Sequence, residues 1–241
     1  VAVIYGLKKR FPSIQIILHT SNQGLCKSFN EALALAKGSF IIDLAADDVL
    51  LSNRVEAQVK AFESLDDSYG IVFSDAFLTD EQLAVQGTFY KRDSFGKLSQ
   101  SIPKGNVFSE VVHSYTICSP TIMSRKSLFD KLGGYDEELS YEDYDFLIRS
   151  ARTVNYFYID QPLMYKREVK GSHATSFYAK KNNPHLESTL ICCKKALWLC
   201  KDEEERKAVR HSVRYHFRQS YFMSSFPLAL RYYQLLKAIS K

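Results

Sequence analysis

The 241-residue chain lacks the features that mark several large classes of protein. It has no run of about 18 apolar residues, so the sequence predicts no membrane-spanning helix. The opening segment, VAVIYGLKKRFP, is too short and too soon charged for a secretory signal peptide. It contains no repeat or low-complexity segment. With 46% hydrophobic and 24% charged residues, the chain has globular proportions, which excludes a disordered or collagen-like protein.

Cysteine is scarce and follows no recognised spacing. The five cysteines are Cys26, Cys118, Cys192, Cys193 and Cys200. Their odd number and the lack of a CxxC pair predict neither a disulfide framework nor a zinc site. We interpret them as small buried hydrophobic residues in a protein of the reducing cytoplasm. The net charge of +5 is too small to indicate nucleic-acid binding, and no nucleic-acid partner is expected.

Strands and helices alternate in the first two-thirds of the chain. The predicted strands are residues 13–19, 39–44, 71–73, 154–159 and 163–167, and the predicted helices are residues 24–37, 141–152, one starting at Ser52 and one running from Ser124 to Gly133. Strands separated by helices favour parallel pairing and an α/β fold. Residues 78–106 predict irregular, substrate-facing loops with short hairpin structure. After Pro184 we expect three helices, the last interrupted at Pro227.

Acidic residues follow two of the predicted strands. Asp47 and Asp48 come after SFIIDL, and Asp75 comes after IVF. Ligands of parallel sheets bind at the carboxyl ends of the strands. Adjacent carboxylates repel each other unless a cation lies between them, and oxygen ligands favour magnesium or manganese. The alternative is that Asp48 caps the following turn and Asp47 is solvated.

A second acidic cluster, YDEELSYEDYDF, leads into the helix predicted over residues 141–152. Glu142 and Asp143 stand in its first turn, where the helix dipole alone would stabilise them. Asp143 also flanks the apolar stripe of this helix, so its carboxylate is a candidate acceptor for a proton from an attacking hydroxyl. Asp145 and Arg149, four residues apart, are expected to form a surface pair.

These segments together resemble family 2 glycosyltransferases with the GT-A fold. The resemblance rests on AADD (45–48), GGYDEELSYEDYDFLIRSA (133–151), Asn22-Gln23-Gly24, Phe29-Asn30, AKGSF (36–40) and the VFSD strand ending at Asp75, in that family's order as far as about Ser176. It implies a Rossmann-like, mostly parallel sheet flanked by helices. We expect a catalytic domain over residues 1–183 and an all-helical extension over residues 184–241.

The resemblance also implies an activity. It is that of an inverting, metal-dependent, hexosyltransferase-like enzyme, which moves a sugar from a UDP- or GDP-type donor to a saccharide or lipid-linked acceptor in polysaccharide or glycan assembly. The implied roles are catalytic base for Asp143, acceptor contact for Glu142, ligation of Mn²⁺ or Mg²⁺ for Asp47 and Asp48, and donor binding for Asn22, Gly24, Asp47 and Asp75. The alternative is a non-catalytic glycosyltransferase-like binding domain. A nucleotidyltransferase would show a glycine-rich phosphate loop near the N-terminus, and none is visible.

Several positions depart from that family's pattern. Ala45 replaces the first aspartate of its DXD motif, and Phe29 stands where many members have arginine. Arg167 is not followed by the usual histidine. His173 lies a few residues on and is a candidate substitute, and the favoured alternative is that it is an exposed loop histidine. Family members normally begin with a strand, a helix and a second strand, and residues 1–12 of this chain correspond only to the helix that follows them. We therefore expect a fragment of a longer chain, with a degenerate relative as the alternative.

The C-terminal segment is basic and aromatic. Arginines recur every four residues at positions 206, 210, 214 and 218, and aromatic residues expected on the surface are Trp198, Tyr215, Tyr221, Phe222, Phe226, Tyr232 and Tyr233. Such helices favour contact with an anionic membrane. The alternative is a helical lid packed on the catalytic domain. We expect a cytoplasmic protein, and the membrane contact considered for it is peripheral, on the inner face.

Overall fold

The computed structural model describes residues 2–140, 142–168 and 184–239. The strands there are Phe40–Ile41 (β1), Val49–Leu50 (β2), Tyr69–Thr79 (β3), Val85–Thr88 (β4), Met123–Arg125 (β5) and Asn155–Arg167 (β6). The helices are Ala2–Arg10 (α1), Leu25–Leu35 (α2), Arg54–Glu63 (α3), Phe108–His113 (α4), Lys126–Leu132 (α5), Asp143–Ala151 (α6), Pro184–Leu199 (α7), Glu203–Phe222 (α8) and Phe226–Ile239 (α9), with a 3₁₀ helix over Ser119–Thr121. The six strands form one sheet in the order β1-β5-β3-β6-β2, with β4 paired to β3.

The α/β class is confirmed, but parallel pairing is less extensive than the sequence predicts. Among the described strands only β3 and β6 pair in parallel, and four other pairings are antiparallel. The chain passes from β3 to β6 through α4, α5 and α6, which provides the long crossover that a parallel pair requires. β5 is antiparallel to the first part of β3, with Ser124 opposite Ile71 and Met123 opposite Val72.

Three strand predictions need correction. The strand predicted over residues 39–44 is reduced to Phe40–Ile41, β1. Residues 13–19 form no strand, and Ile14, Ile17 and Leu18 are exposed. An isoleucine-rich segment becomes a strand only where a neighbour accepts its backbone hydrogen bonds, and the described residues offer none here. The strand predicted over 71–73 extends to Thr79, because β6 pairs with β3 along its length. Asp75 therefore lies within a strand and not at its end.

The structure differs from the sequence predictions in smaller ways at two prolines and at one helix cap. The two strands predicted around Pro162 are one strand, β6, whose register with β3 shifts there because proline has no N–H. Pro227 stands in the first turn of α9, where a missing N–H costs little, so it begins a helix and does not interrupt one. α3 begins at Arg54, and Ser52 is not its cap. Gly133 ends α5 with φ +75°, as predicted.

One hydrophobic core joins the sheet to the C-terminal helices. Leu190, Val209 and Tyr232 from α7–α9 belong to the same buried cluster as Phe73 of β3 and Leu147 of α6. Tyr232, expected on the surface, is fully buried. The helices over residues 184–239 are thus packed on the rest of the molecule, and the division at residue 183, which lies outside the described residues, stays a prediction.

Ion pairs reinforce this packing. Lys195 of α7 binds Asp136 and Asp145 at 2.5 and 2.7 Å. Asp145 also pairs with Arg149, but it is only 1% exposed, so the predicted surface pair is buried. It is buried because α7 covers this side of α6.

All five cysteines are free thiols, and all but the partly buried Cys200 are buried, which confirms their interpretation as small hydrophobic residues. Among the described residues, no helix is long and apolar enough to cross a bilayer.

Candidate active site

A pocket of about 370 Å³ lies between α2, the segment after β1, the 3₁₀ helix and the start of α6. Its lining combines apolar side chains with three carboxylic acids. The lining residues are Leu25, Ile41, Asp43, Leu44, Ala45, Ala46, Ser119, Pro120, Ile122, Ser124, Phe129, Tyr135, Glu142, Asp143, Phe146 and Leu147. Apolar walls with a few converging polar groups are typical of small-molecule sites.

Asp143, the first residue of α6, is held by hydrogen bonds to both oxygens of its carboxylate. Oδ1 accepts from the backbone N–H of Tyr144 at 2.7 Å. Oδ2 accepts from the Ser119 hydroxyl at 3.2 Å and from the Tyr115 hydroxyl. These donors fix the direction of the carboxylate, which is the requirement for a general base.

Helix α3 holds the 3₁₀ helix that carries Ser119. The buried Arg54 guanidinium donates to the carbonyls of Pro120 at 2.9 Å and Ile122 at 3.2 Å. Gln58 donates to the carbonyl of Thr121 at 2.8 Å. Three successive carbonyls are thereby bound by one face of α3, and the position of Ser119 beside Asp143 depends on this clamp.

Glu142 and Asp43 bring two further acids to the pocket. Burial, with the nearby charge of Asp143, raises the pKa of Glu142 to about 8. Burial also raises the pKa of Asp43, although its hydrogen bond from the Tyr135 hydroxyl at 3.1 Å acts in the opposite direction. At neutral pH Glu142 therefore keeps its proton most of the time, and the pocket offers a carboxylic acid beside Asp143.

Asp47 and Asp48 come directly after residues 43–46, which line the pocket. Asp47 is exposed, whereas Asp48 accepts a hydrogen bond from the backbone N–H of Arg167 at 3.0 Å and so ties this loop to the end of β6. Burial raises the pKa of Asp48, and the bond from Arg167 opposes that rise. The alternative expectation holds for Asp47, which is exposed, whereas the Asp48 carboxylate bonds to Arg167 and not to the following turn.

The donor set at these two residues fits a divalent cation that shares its ligands with a substrate. Two adjacent carboxylates supply hard oxygen atoms, and magnesium typically takes one or two carboxylates together with phosphate oxygens. In the described part of the chain, no three His, Cys, Asp or Glu side chains are grouped to hold a metal by themselves. His173, the substitute ligand suggested by sequence, lies outside the described residues.

Asn22 and Gly24 stand at the entrance of α2. The Asn22 side-chain oxygen accepts from the Gly24 N–H at 2.9 Å, and Gly24 has φ +84°, which favours glycine. The next residue, Leu25, lines the pocket. The turn thus lies at the pocket rim, and its role in donor binding stays a prediction.

Asp75 lies apart from the pocket. Its carboxylate is fully buried and accepts from the N–H groups of Ala76 and Tyr90, at 2.8 and 3.1 Å. Arg92 pairs with its second oxygen at 2.9 Å and reaches Asp160 at 2.6 Å. These contacts hold the loop after β4 against the sheet, which is a structural use for the carboxylate.

Sequence reasoning missed Asp43, Tyr115, Ser119 and Tyr135. A signal existed for Asp43, because it stands two residues before Ala45 in the acidic segment after the apolar run SFII. Both residues line the pocket, so Asp43 brings a carboxylate to the segment in which Ala45 lacks one. Tyr115 and Ser119 reach Asp143 only through tertiary packing, so no local pattern indicates them.

Comparison with known proteins identifies related sequences. The family model described as "Glycosyl transferase family 2" matches residues 1–133. An uncharacterized glycosyltransferase of Rickettsia prowazekii is 26% identical over 160 residues, which cover 66% of this chain and 48% of the relative. One of Methanocaldococcus jannaschii is 29% identical over 168 residues, covering 69% and 54%. The chain spans about half the length of these curated relatives.

Solved structures share the fold. Residues 1–349 of Staphylococcus aureus TarS, in complex with UDP-GlcNAc, match with a TM-score of 0.64 and 18% identity, covering 90% of this chain and 60% of that one. The mannosyltransferase PcManGT of Pyrobaculum calidifontis, in complex with GDP-Man and Mn²⁺, matches with a TM-score of 0.59 and 15% identity, covering 98% and 62%. The expected GT-A fold is confirmed.

Proposed function

The chain belongs to glycosyl transferase family 2, and from this premise we propose that it moves a sugar from a nucleotide-diphosphate sugar to an acceptor hydroxyl with inversion. The observation that carries the proposal is the oriented carboxylate of Asp143, which lines a pocket of about 370 Å³. Hydrogen bonds from Ser119 and Tyr115 hold it there.

In the proposed reaction, Asp143 accepts the proton of the acceptor hydroxyl while that oxygen attacks the anomeric carbon. The bond from this carbon to the diphosphate breaks as the new glycosidic bond forms, so the configuration inverts in one displacement. Glu142, protonated at neutral pH, donates a hydrogen bond to the acceptor and orients it. One carboxylate base is sufficient, unlike the carboxylate pair of glycoside hydrolysis.

The donor would lie beside the loop that carries Asp47. Asp47 and Asp48 would hold a divalent cation, Mn²⁺ or Mg²⁺, whose charge would stabilise the departing nucleoside diphosphate. Asn22 and Gly24 at the rim are the further proposed donor-site residues, whereas the buried carboxylate of Asp75, held by Arg92, is left out of the proposed donor site. UDP-GlcNAc and GDP-Man, bound by the two solved neighbours, define the donor types to test.

We place this reaction in the assembly of a polysaccharide or other glycan, on a saccharide or lipid-linked acceptor. The five free thiols support a cytoplasmic location. A second candidate function is sugar or partner binding without turnover. The observation that favours it is Ala45, which removes one carboxylate from the DXD position.

The test is transfer of labelled sugar from UDP-GlcNAc and from GDP-Man, each with Mn²⁺ and with a chelator, onto a panel of saccharides. Asp143→Asn should lower transfer by about 10²–10⁴-fold, because the amide cannot accept the proton. The affinity for the donor should change little. Asp130→Asn, at an exposed acid of α5, is the matched control and should keep full activity.

Two results would contradict the proposed reaction. Full activity of Asp143→Asn would remove this residue as the base. Donor binding without transfer, in the full-length protein and across the panel, would favour the binding domain.

A further inference from the structure

The end of the chain has an unusual charge distribution. Residues 206–241 contain eight Lys and Arg residues and no Asp or Glu. The remaining 24 basic residues of the chain are outnumbered by its 27 acidic residues. The positive net charge of the whole chain therefore comes from this segment, which includes α9 and most of α8.

A hydrophobic surface lies on these same helices. We define the aromatic patch by its five exposed members: Tyr221, Phe222, Phe226, Leu230 and Tyr233. Phe222 is 72% exposed and Phe226 is 57% exposed, although both are large apolar side chains. Clustered exposed apolar residues mark contact surfaces more often than scattered ones do.

Ring contacts join the two helices on this outer surface. Tyr221 meets Phe226 with ring centroids 5.7 Å apart, and Phe217 meets Tyr233 at 6.1 Å. The opposite faces of α8 and α9 carry Val209, Val213 and Tyr232 into the core. The aromatic patch is thus a continuous strip that faces away from the molecule.

Unpaired cations border the aromatic patch. Arg214 and Arg218 are exposed. Arg218 lies about one helical turn before Phe222, and Arg214 lies about two turns before it. Neither has a carboxylate partner among the described residues. Lys237 lies over the ring of Tyr233 at 4.8 Å. Acids neutralise other basic residues nearby, since Glu187 pairs with Arg231 and Glu204 with Lys207.

We propose that the aromatic patch and its bordering cations bind an anionic lipid bilayer. Exposed Phe and Tyr rings suit the boundary between headgroups and acyl chains, and Lys and Arg suit the anionic headgroups. A symmetric contact between two copies of this segment would bring like charges together, because the segment has no acidic side chain. A different protein would have to supply complementary acidic side chains. A nucleic acid would use the cations but would leave Leu230 in water.

Flotation with lipid vesicles tests the proposal on the full chain. The protein should float with vesicles of phosphatidylcholine and phosphatidylglycerol, should remain behind with phosphatidylcholine alone, and should be released by high salt. Arg214→Glu with Arg218→Glu should weaken binding at least tenfold, because each basic residue near an anionic surface contributes measurably. Lys104→Glu with Lys131→Glu, which makes the same charge change at exposed sites elsewhere, should bind as the parent does.

Insertion of the rings gives an independent measurement. Phe222→Trp, made together with Trp198→Phe, leaves one tryptophan in the chain. Its emission should shift to shorter wavelength and be shielded from acrylamide when anionic vesicles are added. Circular dichroism of each variant checks that it is folded.

Four results would overturn the proposal. These are equal binding to neutral and anionic vesicles, no binding to either, binding to a single-stranded oligonucleotide in place of vesicles, and self-association through the aromatic patch that vesicles do not displace. None of these measurements depends on sugar transfer, so the proposed reaction and this surface stand or fall separately.

Discussion

At the level of single residues, Glu142 shows how burial changes what a carboxyl group can do. It stands next to Asp143 in a pocket with apolar walls, and burial together with its neighbour's charge raises its pKa to about 8. Its Oε2 is buried and has no hydrogen-bond partner within the described residues. A group in this state donates a hydrogen bond at neutral pH, where an ordinary glutamate only accepts.

The raised pKa of Glu142 predicts a pH-dependent cost to stability. Between about pH 4.5 and pH 8 the unfolded chain releases this proton while the folded chain keeps it, so stability falls as the pH rises through this range. Glu142→Gln removes that cost. It should therefore raise the free energy of unfolding relative to the parent protein, and the gain should grow with pH to about 4 kcal/mol near pH 8, since each pKa unit corresponds to about 1.4 kcal/mol.

Urea denaturation at pH 5, 6.5 and 8 measures this difference. Glu138→Gln, at an exposed glutamate in the same loop, should follow the parent at each pH. A gain for Glu142→Gln that is equal at all three values would show that the side chain does not titrate in this range.

The candidate site residues differ in how clearly the sequence indicates them. Glu142 and Asp143 are indicated by their place at the start of an amphipathic helix, and the structure puts both in the pocket. Asp75 looks equivalent to Asp47 because both follow an apolar run. Only the pairing of β3 with β6 shows that Asp75 is internal. Tyr115 depends on packing between segments 28 residues apart, which no local pattern encodes.

At the level of elements, α3 acts as a clamp on the 3₁₀ helix. Arg54 is fully buried, and burial lowers its pKa to about 10, so it remains charged at neutral pH. Its guanidinium also donates to Gln58 Oε1 at 3.0 Å and to the sulfur of Met164. The guanidinium spreads five N–H donors over three nitrogens and reaches these four acceptors, whereas a lysine ammonium has three donors on a single nitrogen.

Arg54→Lys should therefore weaken the fold although it keeps the charge. The carbonyls of Pro120 and Ile122 would lose their donors, and we expect the free energy of unfolding to fall by about 2 kcal/mol. Thermal and urea denaturation measure the loss. Lys60→Met removes an exposed cation from the same helix and should change stability little, because exposed ion pairs contribute little. Equal effects of the two substitutions would contradict the clamp.

Elements with a strong helical period were the most predictable from sequence. The helix predicted over residues 141–152 is present as α6, and Tyr144, Leu147, Ile148 and Ala151 of its apolar stripe are all buried. Strands were less predictable, because a strand exists only when a partner is present. Residues 13–19 have strand composition and no partner among the described residues, whereas Thr79 joins a strand because β6 reaches it.

At the level of the whole molecule, α7–α9 are integrated with the sheet. Tyr144 of α6 hydrogen-bonds Ser212 of α8 at 3.2 Å, and the rings of His113 and His211 stack at 3.8 Å. The sequence predicts these helices as an extension because their composition differs from that of the alternating region. Composition does not reveal the shared core, which depends on which faces meet. Packing of this kind predicts that the described parts unfold together.

The most direct test of this coupling is Glu205, which links α8 to the end of α6. Its carboxylate lies 2.6 Å from Arg152, whose guanidinium stacks over the ring of Phe108 at 3.7 Å. It also accepts a hydrogen bond from the Lys201 N–H at 2.6 Å. Glu205→Gln would leave Arg152 buried without its counter-charge. Loss of one partner from a buried pair costs about 3 kcal/mol, so we expect a decrease of that size in the free energy of unfolding.

Urea denaturation followed by circular dichroism should show the decrease for Glu205→Gln in a single transition, since one core spans both regions. Glu203→Gln is the matched control, because Glu203 is exposed and 3.8 Å from Arg210, and its effect should stay within about 0.5 kcal/mol. An early, separate loss of helical signal in Glu205→Gln would mean that α7–α9 unfold alone. The pocket and the aromatic patch would then belong to independently folding units. Membrane binding at α8 and α9 would in that case have no effect on the position of Asp143.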